Sequence, residues 1–325
     1  MPVLLTEADV RAVLSMDALI DAMEAALVQF STGGVQQPLR AVLEPATGAF
    51  LGVMPAVIAE PAAVGTKIVT VYGSNSARGL PTHLATILLQ DPETGALQAI
   101  LDGRYITEAR TAAVSAASAR WLARDDARVM AVIGSGVQAR SHIAALTRVR
   151  RLEGIRIWGR TPAHVAALVD EMQPSIGPTL SPARTIEEAS SGADIVVLVT
   201  ASSDPVLPRA WVRDGAHICA VGACRPTQRE MDTALVTGAR VFVDSRAGAL
   251  AEAGDLVIPI REGAMEPSHV AGELGDVFAG RVQGRTADAE ITIFKSLGMA
   301  VEDVAAARLA WQCASARGLG RGFVL

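Results

Sequence analysis

A chain of 325 residues has room for one large or two ordinary domains, and half of it is hydrophobic, so a sizeable core can form. Aromatic residues are only 4%, which leaves Ala, Val, Leu and Ile to build that core. A net charge of −5 with no run of Lys or Arg excludes a nucleic-acid partner, and no apolar run is long enough to span a bilayer, which points away from a membrane partner.

In chain order, Thr6-Glu-Ala-Asp starts a first helix, with Thr6 as its cap and acids in its first turn. Residues 16–29 carry a second helical period, stopped by Ser31-Thr-Gly-Gly. Short strands follow at 40–43, 50–54, 65–71, 84–90 and 97–101, separated by turn residues such as Asp91-Pro-Glu-Thr-Gly. An Ala-rich helix is expected over 107–123. Strands and helices then alternate: strand 128–133, helix 137–149, strand 154–158, helix 162–172, and strands 193–200, 217–221 and 240–243. Alternation of this kind builds a doubly wound parallel sheet. A last helix over 298–317 lies beyond the alternation and can return to the first domain. The fold class is therefore α/β: a Rossmann-type domain over 114–297, and a smaller β-rich α/β domain over 1–113 and 298–325. Cys219, Cys224 and Cys313 have neither ligand spacing nor an even pairing, so reduced thiols in a cytoplasmic protein and no metal are expected. Nothing resembling a signal segment follows Met1.

Val129-Met-Ala-Val-Ile-Gly134-Ser-Gly136-Val137-Gln138-Ala139 is a strand running into G-x-G-x-x-A. Gly134 permits the tight turn, Gly136 lets backbone approach a pyrophosphate, and Ala139 lets helix and strand pack closely. The helix start then offers N–H groups and a positive dipole to the phosphates. At the end of the second strand, NAD sites usually carry an acid for the ribose hydroxyls. Trp158-Gly159-Arg160-Thr161 has none; Arg160 suits a 2′-phosphate and Thr161 can donate a hydrogen bond, so NADP(H) is preferred with NAD(H) possible. In the β-rich part, Arg40, Lys67 and Arg110 stand in apolar surroundings. Each alone reads as a solvated edge residue, and convergence of the three would make a carboxylate site.

With these residues in view, the chain resembles the ornithine cyclodeaminase/μ-crystallin family over essentially its whole length. The matching segments are Gly52-Val-Met-Pro55, Gly65-Thr-Lys67, Gly79-Leu-Pro-Thr-His83, Arg110-Thr111-Ala-Ala-Val-Ser, Gly134-Ser-Gly136-Val-Gln138, Val221-Gly222-Ala, and Phe294-Lys-Ser-Leu-Gly-Met-Ala-Val-Glu-Asp303. The resemblance implies a homodimer whose β-rich domain serves substrate binding and dimerisation. It places Arg40, Lys67 and Arg110 on the substrate carboxylate and Thr111 on a cofactor phosphate. The expected cofactor set is Thr111, Gly134, Gly136, Val137, Gln138, Arg160, Thr161, Thr200 and Gly222. The substrate set adds His83 and Cys224 to the three cations.

Two departures narrow the activity. Cyclodeaminases of the family carry an Asp where this chain has Cys224, and a Glu where it has Gly52. The μ-crystallin-like and pyrroline-carboxylate-reductase-like branches lack both acids. The resemblance therefore implies NAD(P)H-dependent reduction of a cyclic imino acid, 1-pyrroline-2-carboxylate to L-proline or 1-piperideine-2-carboxylate to L-pipecolate. Lys67 is the candidate proton donor, its pKa lowered by cationic neighbours. Cys224 fills space near the nicotinamide, and Glu302 and Asp303 cap or pair near the final helix without a chemical role. The alternatives are ornithine cyclodeamination, an alanine-type dehydrogenase, and a non-catalytic NADPH-binding protein.

Overall fold

The structure, a computed structural model, describes residues 1–324. The chain divides into two compact units: Met1–Arg110 with the segment from Gly298 onward, and Thr111–Leu297. The division falls three residues before the position expected from sequence, so Thr111 belongs to the second unit.

The first unit opens with β1 (Val3–Leu5) and α1 (Glu7–Val13). Thr6 caps α1 reciprocally: Asp9 N donates to Thr6 Oγ1 at 3.3 Å, and Thr6 N donates to Asp9 Oδ2 at 2.9 Å. In α2 (Met16–Ser31), Leu19, Ile20, Met23 and Leu27 recur at helical spacing and are buried. Then come β2 (Val35–Gln36), β3 (Ala41–Leu43), β4 (Phe50–Ile58), β5 (Ala63–Val71), β6 (His83–Gln90) and β7 (Leu97–Asp102). The strand expected to stop at Met54 runs on to Ile58, because Ala56 and Ile58 keep pointing into the core. Helix α3 (Arg104–Leu122) carries the chain onward.

The second unit contains β8 (Val129–Ile133), α4 (Val137–Val149), β9 (Gly154–Trp158), α5 (Pro162–Met172), β10 (Thr179–Pro182), α6 (Ile186–Ser190), β11 (Ile195–Leu198) and β12 (His217–Ala220). These are followed by α7 (Thr233–Thr237), β13 (Arg240–Val243), α8 (Arg246–Glu252), α9 (Gly254–Arg261), β14 (Val270–Glu273), α10 (Leu274–Phe278) and β15 (Thr292–Lys295). All strand pairs are parallel, in the order β10-β9-β8-β11-β12-β15-β13-β14. The chain winds one way from β8 to β10 and the other way from β11 onward, which is a Rossmann-type sheet with its switch point between β8 and β11. β15 inserts between β12 and β13 and is buried at every position.

α11 (Ala300–Ala316) and β16 (Arg321–Gly322) return to the first unit. Its sheet has the order β16-β1-β7-β6-β5-β4-β2, with β3 also on β4, and is antiparallel apart from β1–β7. α11 packs on β4, β5 and β6. Gly65 allows this approach, since a Cβ there would lie 2.9 Å from Leu88 O and 3.0 Å from Val304 Cγ2. No helix among the described residues is long and apolar enough to cross a membrane.

Candidate active site

Strand register assembles the first unit's cationic site. Met54 pairs with Lys67 and Lys67 with Ile87, so these side chains share the face that α11 covers. Gly52, Val69 and Ala85 lie one step along that face, and Phe50, Val71 and His83 one step further. Arg40, half-buried, precedes β3; continuing the Ala41–Val53 pairing by one residue sets it beside Met54, on the Lys67 side.

Lys67 is 2% exposed and forms an ion pair with Asp303, which is fully buried on the first turn of α11. Arg110 shares the same carboxylate, donating from Nε to Asp303 Oδ1 at 2.9 Å, and donates from Nη1 to Glu302 Oε2 at 2.6 Å. Gly298 makes room for the guanidinium, since a Cβ there would be 2.5 Å from Arg110 Nη1. Glu302 and Asp303 cap and pair at the start of the final helix, as expected, and the partners the sequence did not name are Lys67 and Arg110, which sets both acids beside the cations. The available signal was two acids in an Ala- and Val-rich helix, because carboxylates are buried only when paired.

Burial pushes the Lys67 ammonium down to about 8; the Arg110 charge adds to this, while Asp303 resists it. The lowering agrees in direction with the sequence reading, but desolvation leads and the cationic neighbour is secondary. Asp303 stays below the usual carboxylate range, because Arg110 and Lys67 outweigh the opposing effect of burial. Burial, reinforced by the charges of Lys67 and Arg110, takes His83 down to about 4, so its imidazole is neutral near pH 7.

In the second unit, Gly134 has φ +131°, and a Cβ there would be 2.7 Å from Val199 O, at the end of β11. Only glycine fits this turn. Gly136 caps α4 without a side-chain hydrogen bond, and the place a Cβ would occupy has no atom within 4 Å. Val137 is exposed and Ala139 fully buried. Gln138 Oε1 is buried with no hydrogen-bond partner among the described residues. A Cβ on Gly159 would be 2.6 Å from Ser135 Oγ, so the end of β9 lies against the turn. Arg160 and Thr161 emerge there, both exposed, and Arg160 has no ion-pair partner among the described residues. Thr111 is buried on α3. An open, donor-rich helix start beside a glycine turn, with a cation at its flank, fits a dinucleotide.

Thr200 and Gly222 follow β11 and β12 and touch: a Cβ on Gly222 would be 2.1 Å from Thr200 O. Half-buried Cys224 donates from Sγ to Val221 O at 3.3 Å. A second buried charge cluster, not anticipated from sequence, lies in this unit. Lys295 Nζ is 3.0 Å from Asp255 Oδ2, and Asp255 Oδ1 accepts from the backbone N–H groups of Glu230 and Met231 at 2.8 and 3.0 Å. Burial pulls Lys295 down, yet Asp255, Cys224 and Glu230 together hold it above the ordinary lysine value.

The ornithine cyclodeaminase/mu-crystallin family model matches residues 1–318. The rat protein named ketimine reductase mu-crystallin is 41% identical over 302 residues, covering 91% of this chain and 92% of the rat protein. The Thermococcus litoralis Delta(1)-pyrroline-2-carboxylate reductase, solved in complex with NADH and L-proline, has a TM-score of 0.96 and 35% identity over 99% of this chain and 100% of that one. An archaeal alanine dehydrogenase dimer with bound NAD has a TM-score of 0.94 and 32% identity, covering 99% of each chain.

Proposed function

The chain belongs to the ornithine cyclodeaminase/mu-crystallin family, and on that premise we propose that it reduces cyclic ketimines with a nicotinamide nucleotide, 1-pyrroline-2-carboxylate to L-proline and 1-piperideine-2-carboxylate to L-pipecolate. The observation that carries this reading is the one-sided character of the inner sheet face. Lys67 and Arg110 stand at one end, and the floor beyond is built by Gly52, Val69, Ala85 and Phe50. A Cβ on Gly52 would lie 2.8 Å from Phe50 Cε1 and 3.1 Å from Val69 Cγ1, so a carboxylate at this position would have to displace the Phe50 ring. A charged end and a hydrocarbon floor suit a carboxylate on an apolar ring, and leave a distal ammonium without a counter-ion.

In this reading Arg40, Lys67 and Arg110 orient the substrate carboxylate, with Glu302 and Asp303 holding the two inner cations in place. Neutral His83 orients the substrate, and Cys224 fills space near the nicotinamide. The bound nicotinamide supplies the hydride. Lys67 carries a proton at neutral pH and can give it to the imine nitrogen, so that one C–H and one N–H bond form at the expense of the C=N π bond and a C–N single bond remains. Thr111, Gly134, Gly136, Val137 and Gln138 hold the phosphates, Thr200 and Gly222 line the strand ends, and Arg160 with Thr161 prefers NADP(H) over NAD(H). The sheet face away from α11 is apolar and open, with Val57, Ile68 and Leu84 each about 40% exposed, which suits a homodimer formed through the first unit.

The test is NADPH oxidation with either imino acid, run beside ammonia release from L-ornithine with NAD. Imine-dependent oxidation without ammonia is expected. Ammonia and proline from ornithine without imine reduction would overturn the proposal. Arg160→Ala is expected to weaken NADPH binding about tenfold or more and leave NADH binding unchanged, the worth of a charge-assisted hydrogen bond to phosphate.

A further inference from the structure

We infer that Glu230 is a positioning residue for the nicotinamide nucleotide: its buried carboxylate ties the backbone beyond β11 to the backbone beyond β12, and so fixes the two strand ends along which the cofactor is held. The inference rests on the nucleotide-binding part of the reading above and adds to it a residue that neither the glycine motif nor the expected site contains.

Glu230 is fully buried, and each of its two oxygens serves a different strand end. Oε1 accepts from Thr200 N at 2.8 Å and from Thr200 Oγ1 at 2.7 Å, and Oε2 accepts from Gly222 N at 2.7 Å. Thr200 directly follows Val199, whose carbonyl approaches the Gly134 turn so closely that no side chain fits at 134. Displacing Thr200 therefore displaces the wall of the dinucleotide turn. Gly222 is under the same constraint, because a Cβ there would lie 2.5 Å from Glu230 Oε1 as well as against Thr200 O. The arrangement needs glycine at 222 and a two-oxygen acceptor at 230.

The carboxylate is itself held from behind. Asp255 Oδ1 receives the backbone N–H of Glu230 and of Met231, and the Glu230 carbonyl accepts from Val206 N and Leu207 N at 2.8 and 3.0 Å. Lys295, the last residue of β15, closes the chain on Asp255 Oδ2. Three neighbouring strand ends, of β11, β12 and β15, are thus joined through one run of buried charge. Stability alone does not call for such a run, since apolar side chains of similar volume serve it as well or better. What the charges add is directional: a fixed separation between two loops whose backbone must not move. Burial raises the Glu230 pKa, opposed by Lys295 and by the Thr200 hydrogen bonds, which favour the ionised form that can accept at both oxygens.

The test compares wild type with Glu230→Gln. An amide accepts through one oxygen only and turns an NH2 group toward one of the two strand ends. The measurements are dissociation constants for NADPH and NADH by fluorescence titration, KM for the imino acid at saturating nucleotide, and thermal unfolding. Both nucleotides are expected to bind about tenfold more weakly, by the same factor, while the imino acid KM changes by less than about twofold. That split separates Glu230 from Arg160, which acts on NADPH alone. Unchanged nucleotide affinity alongside a lowered Tm would make Glu230 merely structural and overturn the inference while leaving the functional reading intact. A wild-type protein that binds neither nucleotide would overturn the reading, and the inference with it. If Glu230→Gln does not fold, Glu230→Asp keeps both oxygens with a shorter reach, and the same split between nucleotide affinity and imino acid KM decides.

Discussion

The chain contains only two lysines, Lys67 in the first unit and Lys295 in the second, and both are buried against an aspartate. All other basic side chains apart from histidine are arginines. Alike in burial and partner type, the two lysines titrate in opposite directions. Lys67 is pushed down to about 8, whereas Lys295 is held above its ordinary value. The difference lies in how many cations share each carboxylate. Asp303 is divided between Lys67 and Arg110, so burial wins at Lys67. Lys295 has Asp255 as its direct partner, with the Glu230 carboxylate nearby, so anions win there. A lysine near its titration point can trade a proton at neutral pH; a lysine locked as a cation can only hold its neighbours. One buried pair is suited to chemistry and the other to scaffolding.

Replacing each lysine by methionine tests the contrast most severely. Lys67→Met leaves Asp303 with Arg110, so the protein is expected to fold with a modest loss of stability while kcat for imine reduction falls about 10²- to 10⁴-fold, the usual worth of a positioned acid. Lys295→Met leaves buried Asp255 without its cation and is expected to cost about 3–5 kcal/mol of stability, with a kcat near wild type in the folded fraction. Urea unfolding and single-turnover rates of the two variants check both arms. The distinction collapses if Lys67→Met only destabilises or Lys295→Met only slows turnover.

The pH dependence sharpens the same point. With Lys67 as the proposed proton donor, kcat/KM is expected to be level below about pH 8 and to fall about tenfold per unit above it. The stability linkage has its own sign. Between about 8 and 10.5 the unfolded chain keeps a proton that folded Lys67 releases, so stability rises with pH through that window and is lost again as pH falls through 8. The span is on the order of 3 kcal/mol at 1.36 kcal/mol per unit. With two lysines in the chain, 13C-dimethylation followed by NMR titration reads each amine separately. A Lys67 resonance titrating at the ordinary lysine value would remove the basis for the contrast.

What the sequence disclosed follows from how local each feature is. α4, β9 and α5 have the residue bounds expected of them, because glycine turns, a proline at a helix start and short apolar strands are set by neighbouring residues. β15 escaped notice: four residues with no alternation, placed between strands far away in the chain. The short helices between residues 186 and 278, several only five residues long, carry too little period to read. The two sites divide in the same way. Arg40, Lys67 and Arg110 were visible as cations in apolar surroundings, but their relation depends on strand register and on an acid nearly two hundred residues beyond Arg110. Asp303 was visible as an acid, but not which cations it meets. Glu230 and Asp255 stood in no motif, and Lys295 stood in the Phe294–Asp303 segment without a role, since only the sheet order brings their segments together.

Cys224 offers the mildest test and touches the weakest side of the contrast. Its thiol is one of three groups that favour the charged form of Lys295. The Sγ–H is a weak donor, held to Val221 O at 3.3 Å, and Asp255 remains as the direct partner of Lys295 without it. Cys224→Ala is therefore expected to change kcat by less than about twofold and stability by less than about 1 kcal/mol, the loss of a small, half-buried side chain. Steady-state rates and a thermal melt suffice to check it. A hundredfold loss of rate would mean that the thiol takes part in the reaction, and Lys295 beside it would then belong to the chemistry rather than to the scaffold.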